Sequence, residues 1–344
     1  MADVARLAGV SIATVSHVLN GTRAVRPETR ALVLEAVRAA DYTPNSVAQS
    51  LATARTTTIG LALSAISNPF LGELIHAIEA EAAREGYTLL LVDPHEDPDY
   101  EHTVIRRLHA RRVDGVLLAP SARPEAALTY LTDRGVPTVL VDRLIDARMD
   151  QVGSENVEAV AGLVAHLAGR GHTRIALVAG RPGLQTTVER VEGYRRGLRR
   201  AGLDEDPRLL VDGHSAEDPA RVAVHALLAM VRPPTAVITG NNSMTIGAMQ
   251  AFREAGVEVP RDIALACFDD FPWADLFAPR LTVVAQPFGE IGREAVRLLL
   301  RRMADPTAEP VTTRRTPRFV HRDSCGCPAP APTRGPAPAT HDAG

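Results

Sequence analysis

The chain has 344 residues, of which 45% are hydrophobic, so it is long and apolar enough for more than one packed domain. Its formal charge is only −3, its three cysteines are too few for a disulfide framework, and no run of eighteen apolar residues is long enough to span a membrane. These features exclude a disulfide-rich secreted protein and an integral membrane protein. The N-terminus shows no charged-then-apolar leader, which predicts a cytoplasmic protein.

The first twenty residues show the pattern of two short helices joined by a tight turn. The segment Asp3 to Ala8 favours a helix, and Gly9 permits the left-handed turn that a side chain would oppose. Ser11 is placed to cap a second helix from Ile12 to Asn20. Helical spacing turns Val15, Val18 and Leu19 inward and leaves outward Ile12, Ala13, Ser16, His17 and Asn20. The outward set is what a recognition helix offers the DNA major groove.

A third helix is predicted from Pro27, a favourable first helical residue, to about Ala40. Its apolar stripe is Leu32, Val33, Ala36 and Val37. Residues 1–58 contain six arginines and four acidic residues, a net charge of +2, which leaves −5 for the rest of the chain. The N-terminal segment is therefore positive and the rest of the chain negative, and a positive segment is what binding to phosphates requires.

The order of motifs in this segment is more specific than a three-helix bundle. They are Asp3-Val4-Ala5, Ala8-Gly9-Val10-Ser11, the run from Thr14 to Asn20, Tyr42-Thr43-Pro44-Asn45, Val47-Ala48 and Ser50-Leu51. The chain resembles the LacI/GalR family of bacterial transcription regulators, and the resemblance extends along nearly its whole length. Members commonly carry Thr-Ile before the Asp-Val-Ala, so we expect the natural chain to begin a few residues further upstream.

The resemblance implies how the segment meets DNA. We expect His17 to donate to a base edge, with Ile12 and Ala13 as apolar or small base contacts. The expected backbone contacts are Arg6, Thr14, Ser16, Asn20, Tyr42 and Asn45. Asn45 to Thr53 is short for an independent helix and is expected to order when two copies pack over DNA. Leu51 then matches the leucine that wedges into the minor groove; the alternative is a linker residue packed on the body.

From Thr58 onward, short aliphatic strands alternate with amphipathic helices, which predicts parallel sheets covered on both faces. The resemblance adds that the α/β body has two lobes, of the type I periplasmic-binding-protein-like kind, joined by three crossovers. The expected division is a helix-turn-helix head at 1–44, a hinge helix and linker at 45–58, a first lobe at 59–157 with 288–322, a second lobe at 158–287, and a disordered Pro/Ala-rich tail at 323–344.

Ligands of open parallel sheets bind at the carboxyl ends of the strands, and here those loops are rich in groups that hydrogen-bond hydroxyls. The candidate effector contacts are Ser64, Phe70, Ser121, Asp142, Arg143, Arg190, Asn241, Asp269 and Trp273. By resemblance Arg190 is the ligand-clamping arginine, Asn241 a hydroxyl contact and Asp269 an acidic sugar contact, while Phe70 would stack on the ligand. The chemistry favours a sugar or polyol, with a purine-type effector as the alternative.

Each of these residues also has a structural interpretation. Asp142 and Asp269 are able to cap helices, Asn241 to order a turn and Arg190 to form a surface ion pair. Two positions depart from the family: Asn242 stands where aspartate is usual, and Glu155-Asn156 where Asp-Asn is common. An amide also donates hydrogen bonds, whereas a carboxylate only accepts them.

The sequence contains no Gly-rich phosphate loop, nucleophile elbow or paired zinc motif, so we expect neither an enzyme nor a cofactor. The segment His95-Glu96-Asp97 is interpreted as a solvated loop. Cys325-Gly326-Cys327 with His321 could bind zinc or oxidise, but three ligands on an exposed end favour no metal. The tail lacks leucine heptads, so a dimer is expected rather than a coiled-coil tetramer.

These observations predict a dimeric, ligand-controlled regulator of transcription, most often a repressor in this family, that binds a near-palindromic operator in double-stranded DNA. Its partners would be the operator, a small sugar-like effector and a second copy of the chain, with no membrane. One alternative is a solute-binding protein with the same body. A second is a sugar-modifying enzyme that uses Asp142 or Asp269 as a base, although no partner nucleophile is visible.

Overall fold

The computed structural model describes residues 1–20, 23–42, 55–64, 68 and 71–327. Three predicted site residues, Asn45, Leu51 and Phe70, lie outside this described part, as do most of the predicted hinge and residues 328–344. No single helix in the described ranges is long and apolar enough to cross a membrane; the bent pair of the first two helices passes that test on length and composition alone.

The N-terminal head contains α1 (Ala2–Ala8), α2 (Ile12–Asn20) and α3 (Pro27–Ala39), close to the predicted helices. Gly9 adopts a φ of 64° between α1 and α2, as the turn requires. The Ser11 hydroxyl accepts the Thr14 amide at 3.1 Å and so caps α2. The core of the head is formed by Val4, Ala5, Val15, Val18, Val33 and Ala36. Leu32, predicted in the apolar stripe, is instead 53% exposed.

The body alternates strands and helices in two lobes. Its strands are β1 (Thr58–Ala62), β2 (Thr88–Val92), β3 (Gly115–Leu118), β4 (Thr138–Asp142), β5 (Asp150–Ser154), β6 (Ile175–Ala179), β7 (Leu210–Asp212), β8 (Ala236–Thr239), β9 (Ala264–Phe268), β10 (Thr282–Ala285), β11 (Thr312–Arg315) and β12 (Arg318–Val320). Its α-helices in the described ranges are α4 (Gly72–Arg84), α5 (Pro98–Ala110), α6 (Glu125–Asp133), α7 (Val157–Gly169), α8 (Gln185–Arg200), α9 (Glu217–Leu228), α10 (Asn242–Ala255) and α11 (Phe288–Ala304).

Each lobe is built on a six-stranded sheet with apolar layers on both faces. The first sheet has the order β11-β5-β4-β3-β1-β2 and is parallel throughout. Along β1, Ile59 and Leu61 pack under α4 and α11, whereas Ala62 faces α5. The second sheet has the order β12-β10-β9-β8-β6-β7, and only the β10–β12 pair is antiparallel. The predicted two-lobed body with parallel sheets is therefore confirmed.

The chain passes between the lobes three times, after β5, after β10 and after β11. The predicted C-terminal boundaries are wrong. Residues 318–320 were assigned to the first lobe, but they form β12 and pair with β10 of the second sheet. The tail was predicted to begin at 323, yet Ser324 and Cys325 are buried because the Ser324 hydroxyl bridges Leu265 O and the Thr282 amide. Cys327 also packs against the core of the second lobe.

Candidate functional site

The head presents the outer face of α2 to solvent. Ile12 is 53% exposed and Ala13 is also exposed, while Ser16 and His17 are half-buried on the same side. Val15 and Val18 occupy the opposite side in the core of the head. The sequence-derived orientation of α2 is therefore correct, and the candidate base contacts Ile12, Ala13 and His17 share one surface.

The candidate DNA-backbone contacts surround this face. The Arg6 guanidinium lies 2.5 Å from the Asp3 carboxylate, and this pairing lowers the pKa of Asp3. Thr14 Oγ1 and Ser11 Oγ are 2.9 Å apart, so Thr14 belongs to the cap of α2. Tyr42 packs its ring against the core of the head. Both side chains of an exposed ion pair exchange readily with other partners, so Arg6 remains able to reach a phosphate.

In the body, the carboxyl ends of the strands bring acidic and basic groups together. Asp142 ends β4 in the first lobe and Asp269 follows β9 in the second; their φ angles are 70° and 76°. Left-handed backbone at a residue with a side chain is strained and is concentrated at functional sites. The two lobes thus present a carboxylate in equivalent places, each on a constrained turn.

Arg190 of α8 occupies the centre of this region. Its Nε donates to Asn156 Oδ1 at 2.9 Å and its Nη1 to the Gly240 carbonyl at 2.6 Å. Its guanidinium carbon lies 3.9 Å from the centroid of the Phe268 ring, in cation–π range. The alternative of a surface ion pair is therefore wrong for Arg190.

A close helix contact sets the position of Arg190. A Cβ atom at Gly193 would lie 2.4 Å from the Val157 carbonyl oxygen, so only glycine lets α8 approach the start of α7. Asn156 immediately precedes α7, and its Nδ2 donates to Glu189 Oε2 at 2.8 Å. Glu189 also accepts Arg314 of β11 at 2.8 Å, a contact between the two lobes.

Burial governs the ionisation of the charged groups in this region. It raises the pKa of Asp142 and of Asp269. The guanidinium of Arg143, followed by that of Arg190, offsets part of the rise for Asp142, and the guanidinium of Arg190 offsets part of it for Asp269. Burial also lowers the pKa of Arg190, against the opposing influence of the two aspartates. The guanidinium groups thus partly compensate for the burial of these two carboxyl groups, whose oxygens are able to accept hydrogen bonds from ligand hydroxyls.

Arg143 is fixed on the first-lobe side. It makes a bidentate ion pair with Glu96 and also donates to the Pro120 carbonyl at 2.9 Å. Its Nε is buried and has no hydrogen-bond partner among the described residues. The prediction of a solvated loop is thus wrong for Glu96, whose side chain is only 15% exposed.

Three of the predicted effector contacts make hydrogen bonds that hold the loops of the site. Ser64 Oγ accepts the Glu96 amide at 2.9 Å. Ser121 donates its amide and hydroxyl to Glu101, whose pKa is raised by burial. Asn241 Oδ1 accepts the Met244 amide at 2.8 Å, which caps α10, and its Nδ2 donates to the Ser215 carbonyl. Asn241 therefore caps a helix in this structure, whereas the structural alternative drawn from the sequence was a turn.

The sequence reasoning missed three polar residues of the region. Asn68 Nδ2 donates to Asn242 Oδ1 at 3.0 Å and so joins the two lobes directly. Asn156 lies on the first crossover and Gln286 on the second, where its Nε2 donates to Asp269 Oδ1 at 2.6 Å. Two crossover segments thus supply side chains to the site. A sequence search limited to the ends of strands does not include these segments.

The remaining predicted contact, Trp273, lies on the loop after β9 and is 52% exposed. Leu276 and Phe277 of the same loop are also exposed, and Phe277 lines a groove with α10 and the residues that follow it. A separate group of possible metal ligands, His166, His321, Cys325 and Cys327, lies in the second lobe.

Two segments of the chain match known protein families. Residues 1–45 match the family described as bacterial regulatory proteins, lacI family, and residues 164–325 match the periplasmic binding protein-like domain. The chain is 35% identical to the HTH-type transcriptional repressor PurR of Vibrio atlanticus over 94% of this chain and 97% of the relative. It is 36% identical to the ribose operon repressor of Escherichia coli over 94% and 99% of the two chains.

Solved structures agree with these matches. The lac repressor dimer bound to operator and the anti-inducer ONPF superposes with a TM-score of 0.84 at 26% identity, covering 94% of this chain and 98% of that one. The complex of the transcriptional regulator CelR with cellobiose superposes with a TM-score of 0.73 at 31% identity and the same coverage.

Proposed function

Since the chain belongs to the lacI family of bacterial regulatory proteins, we propose that it is a dimeric repressor whose hold on a near-palindromic operator is set by a sugar-like effector bound between its lobes. Ligand-responsive DNA binding is shared by the repressors it matches and is the function of this chain. We further propose the class of effector, the residues that contact it and the residues that contact DNA.

The observation that supports a sugar or polyol is the Arg190 centre with its two buried carboxylates. Hydroxyl groups donate to carboxylates and accept from guanidinium, so Asp142, Asp269 and Arg190 suit a ligand that carries several hydroxyls. Two relatives point the same way by name: the ribose operon repressor and the cellobiose complex. A purine-type effector is the second candidate, because the exposed Trp273 offers a flat apolar face.

Calorimetric titration of the full chain distinguishes these candidates. The ligands are a panel of pentoses, hexoses, disaccharides and polyols, with purine bases and nucleosides as the competing class. A sugar that binds and also changes operator affinity supports the proposal. Binding that is confined to purines overturns the sugar assignment while leaving the repressor function intact, and turnover of a bound sugar would contradict our proposal that the protein is not an enzyme.

Ligand and DNA are linked through the relative position of the lobes. The Asn68–Asn242 contact and the Arg314–Glu189 pair both join one lobe to the other. A ligand that touches both lobes favours the arrangement in which its contacts are complete, and operator affinity changes by the resulting difference in free energy. Because DNA is the site of action, we place the protein in the cytoplasm.

We place the dimer contact at the exposed apolar residues of the loop after β9. Leu276 is 79% exposed and Phe277 lies beside it, next to the groove that α10 and Val257 border. Clustered exposed apolar side chains mark protein interfaces more often than isolated ones do. This patch, Leu276 with Phe277, would pair with its equivalent in a second copy around a two-fold axis.

In the head, His17→Ala is expected to relax sequence preference at one base pair in each half-site. His17 shares the exposed face of α2 with Ala13 and Ile12, and loss of one good base contact costs about 1–3 kcal/mol. Tyr42→Phe should instead weaken all sequences by a similar factor, because a phosphate contact carries no base information. Competition titration against single-base variants of an operator selected from random DNA measures both effects. A uniform loss for His17→Ala would move base reading to Ile12 and Ala13.

For the segment outside the described residues, Leu51→Ala is expected to reduce both operator affinity and DNA bending. The expectation follows from the proposed minor-groove wedge, since an alanine is too short to unstack a base step. Effector affinity of the full chain in the absence of DNA should not change. Gel phasing assays report the bend, and an unaltered bend would show that Leu51 is a linker residue.

A further inference from the structure

Four potential metal ligands converge at one place in the second lobe. They are His166 of α7, His321 just after β12, and Cys325 and Cys327 of the C-terminal turn, and one ligand atom from each lies within 4.8 Å of all the others. Cys327 Sγ and His166 Nε2 are 3.6 Å apart. The sequence predicted three candidate ligands on an exposed end; the structure supplies a fourth ligand, His166, and shows that Cys325 is buried.

The backbone that carries these ligands is firmly held. Arg322 pairs with both oxygens of Asp270, and Arg280 pairs with both oxygens of Asp323. Arg170, which directly follows α7, donates to the Gly326 carbonyl at 3.1 Å and fixes the Cys-Gly-Cys turn against the end of the helix that carries His166. The ligands are therefore placed by contacts that do not involve the ligands themselves, as a preorganised site requires.

His321, one of the four residues, has a ring nitrogen without a partner: its Nε2 is buried and has no hydrogen-bond partner among the described residues. A buried polar atom without a partner costs free energy and calls for an explanation such as an ion. The His321 ring lies 5.3 Å from the His166 ring, centroid to centroid, and the Phe319 ring lies beside both.

We propose that His166, His321, Cys325 and Cys327 bind a structural zinc ion. Two thiolates and two imidazoles form a closed tetrahedral set that zinc prefers, with Zn–S distances of about 2.3 Å and Zn–N distances of about 2.0 Å. In such a tetrahedron a sulfur and a nitrogen ligand lie about 3.5 Å apart. The 3.6 Å separation of Cys327 Sγ and His166 Nε2 is close to this value, and the other ligand atoms lie within 4.8 Å of one another.

The ion would join the segment after β12 to α7, the helix that opens the second lobe. β12 is only three residues long and lies at the edge of its sheet, so a metal would add to the ion pairs that already hold this segment. A ligand that binds only the folded state stabilises a protein, and the stabilisation rises with the logarithm of the ratio of free ligand concentration to dissociation constant. The zinc is thus expected to stabilise the second lobe without touching effector or DNA.

Metal analysis of the full chain tests the proposal. The protein is purified through a tag that does not bind metal, under reducing conditions, and its zinc content is measured by inductively coupled plasma mass spectrometry. We expect about one zinc per chain, visible d–d bands after cobalt(II) exchange, and a fall in Tm of about 5 °C or more on chelation. Iron or copper in place of zinc would overturn the choice of metal.

Variants separate the cluster from the rest of the chain. Cys327→Ala and His321→Ala should each lose the zinc and make Tm insensitive to chelator; Cys327 is half-buried, so its loss threatens folding least. Cys267→Ala is the matched control, because Cys267 lies in a separate apolar layer of the second lobe and should leave zinc content unchanged. Zinc retained in both cluster variants, or a Cys325–Cys327 disulfide in place of bound metal, would overturn the proposal.

Discussion

Arg190→Ala is expected to abolish the effector response while leaving operator binding in place. The guanidinium joins Asn156, the Gly240 carbonyl and the Phe268 ring, and it offsets the charge of Asp142 and Asp269. Removing one member of a buried, hydrogen-bonded charge group costs about 2–5 kcal/mol, which is a loss of effector affinity of at least about 30-fold. Calorimetry gives the affinity, and a gel-shift titration with effector gives the response.

Two further variants make the result specific. Arg190→Lys keeps the charge but loses the planar guanidinium that reaches Asn156 and Gly240 together. Its effector affinity should therefore lie between that of Arg190→Ala and that of the unmodified protein. Arg195→Ala is the control. Arg195 lies on the same helix and pairs with the partly exposed Glu205, so its loss should change effector affinity little. Unchanged effector affinity in Arg190→Ala would show that the effector binds elsewhere.

The double variant Leu276→Asp, Phe277→Asp is expected to separate the dimer and to lower operator affinity by about two to four orders of magnitude. Charges placed in an apolar contact oppose its burial, and a monomer loses the benefit of binding two half-sites at once. Sedimentation equilibrium reports the assembly and a gel-shift titration reports the affinity. Effector binding should persist, since the patch lies outside the Arg190 centre.

Val231→Asp is the matched control for this experiment. Val231 is fully exposed in the loop after α9, so the added charge meets only water. Both assembly and operator affinity should match the unmodified protein. A Leu276 and Phe277 variant that stays dimeric would place the dimer contact on another face of the body.

Local signals predicted the head and most strands well. Gly9 and Ser11 act within three residues of their own position, so their effect on the α1–α2 turn can be derived from sequence alone. Buried parallel strands such as β6 are continuous apolar runs and are easily recognised. β5 and β11 contain no apolar run that would predict a strand: Asp150 of β5 is buried because Arg302 of α11 pairs with it at 2.8 Å and the Val311 amide donates to it.

The candidate site was predicted where it depends on strand ends and missed where it depends on distant pairing. Asp142, Asp269 and Arg190 follow from topology and family resemblance. The engagement of Glu96 by Arg143 and the approach of His166 to the Cys-Gly-Cys turn join residues that are far apart in sequence. No periodicity in the chain encodes such partners, because they are set by the packing of complete elements.

The order in which the chain crosses between lobes also bears on how it is synthesised. α11 covers one face of the first sheet and β11 completes its edge, yet both follow in sequence the part of the second lobe from α7 to β10. At about 5–20 residues per second, roughly 160 residues separating β4 from the end of α11 take on the order of ten to thirty seconds to leave the ribosome. During that interval the apolar face around Ile59 and Leu61 is covered by α4 but not by α11, so part of it stays exposed while most of the second lobe is synthesised, and chaperones bind such exposed apolar surface.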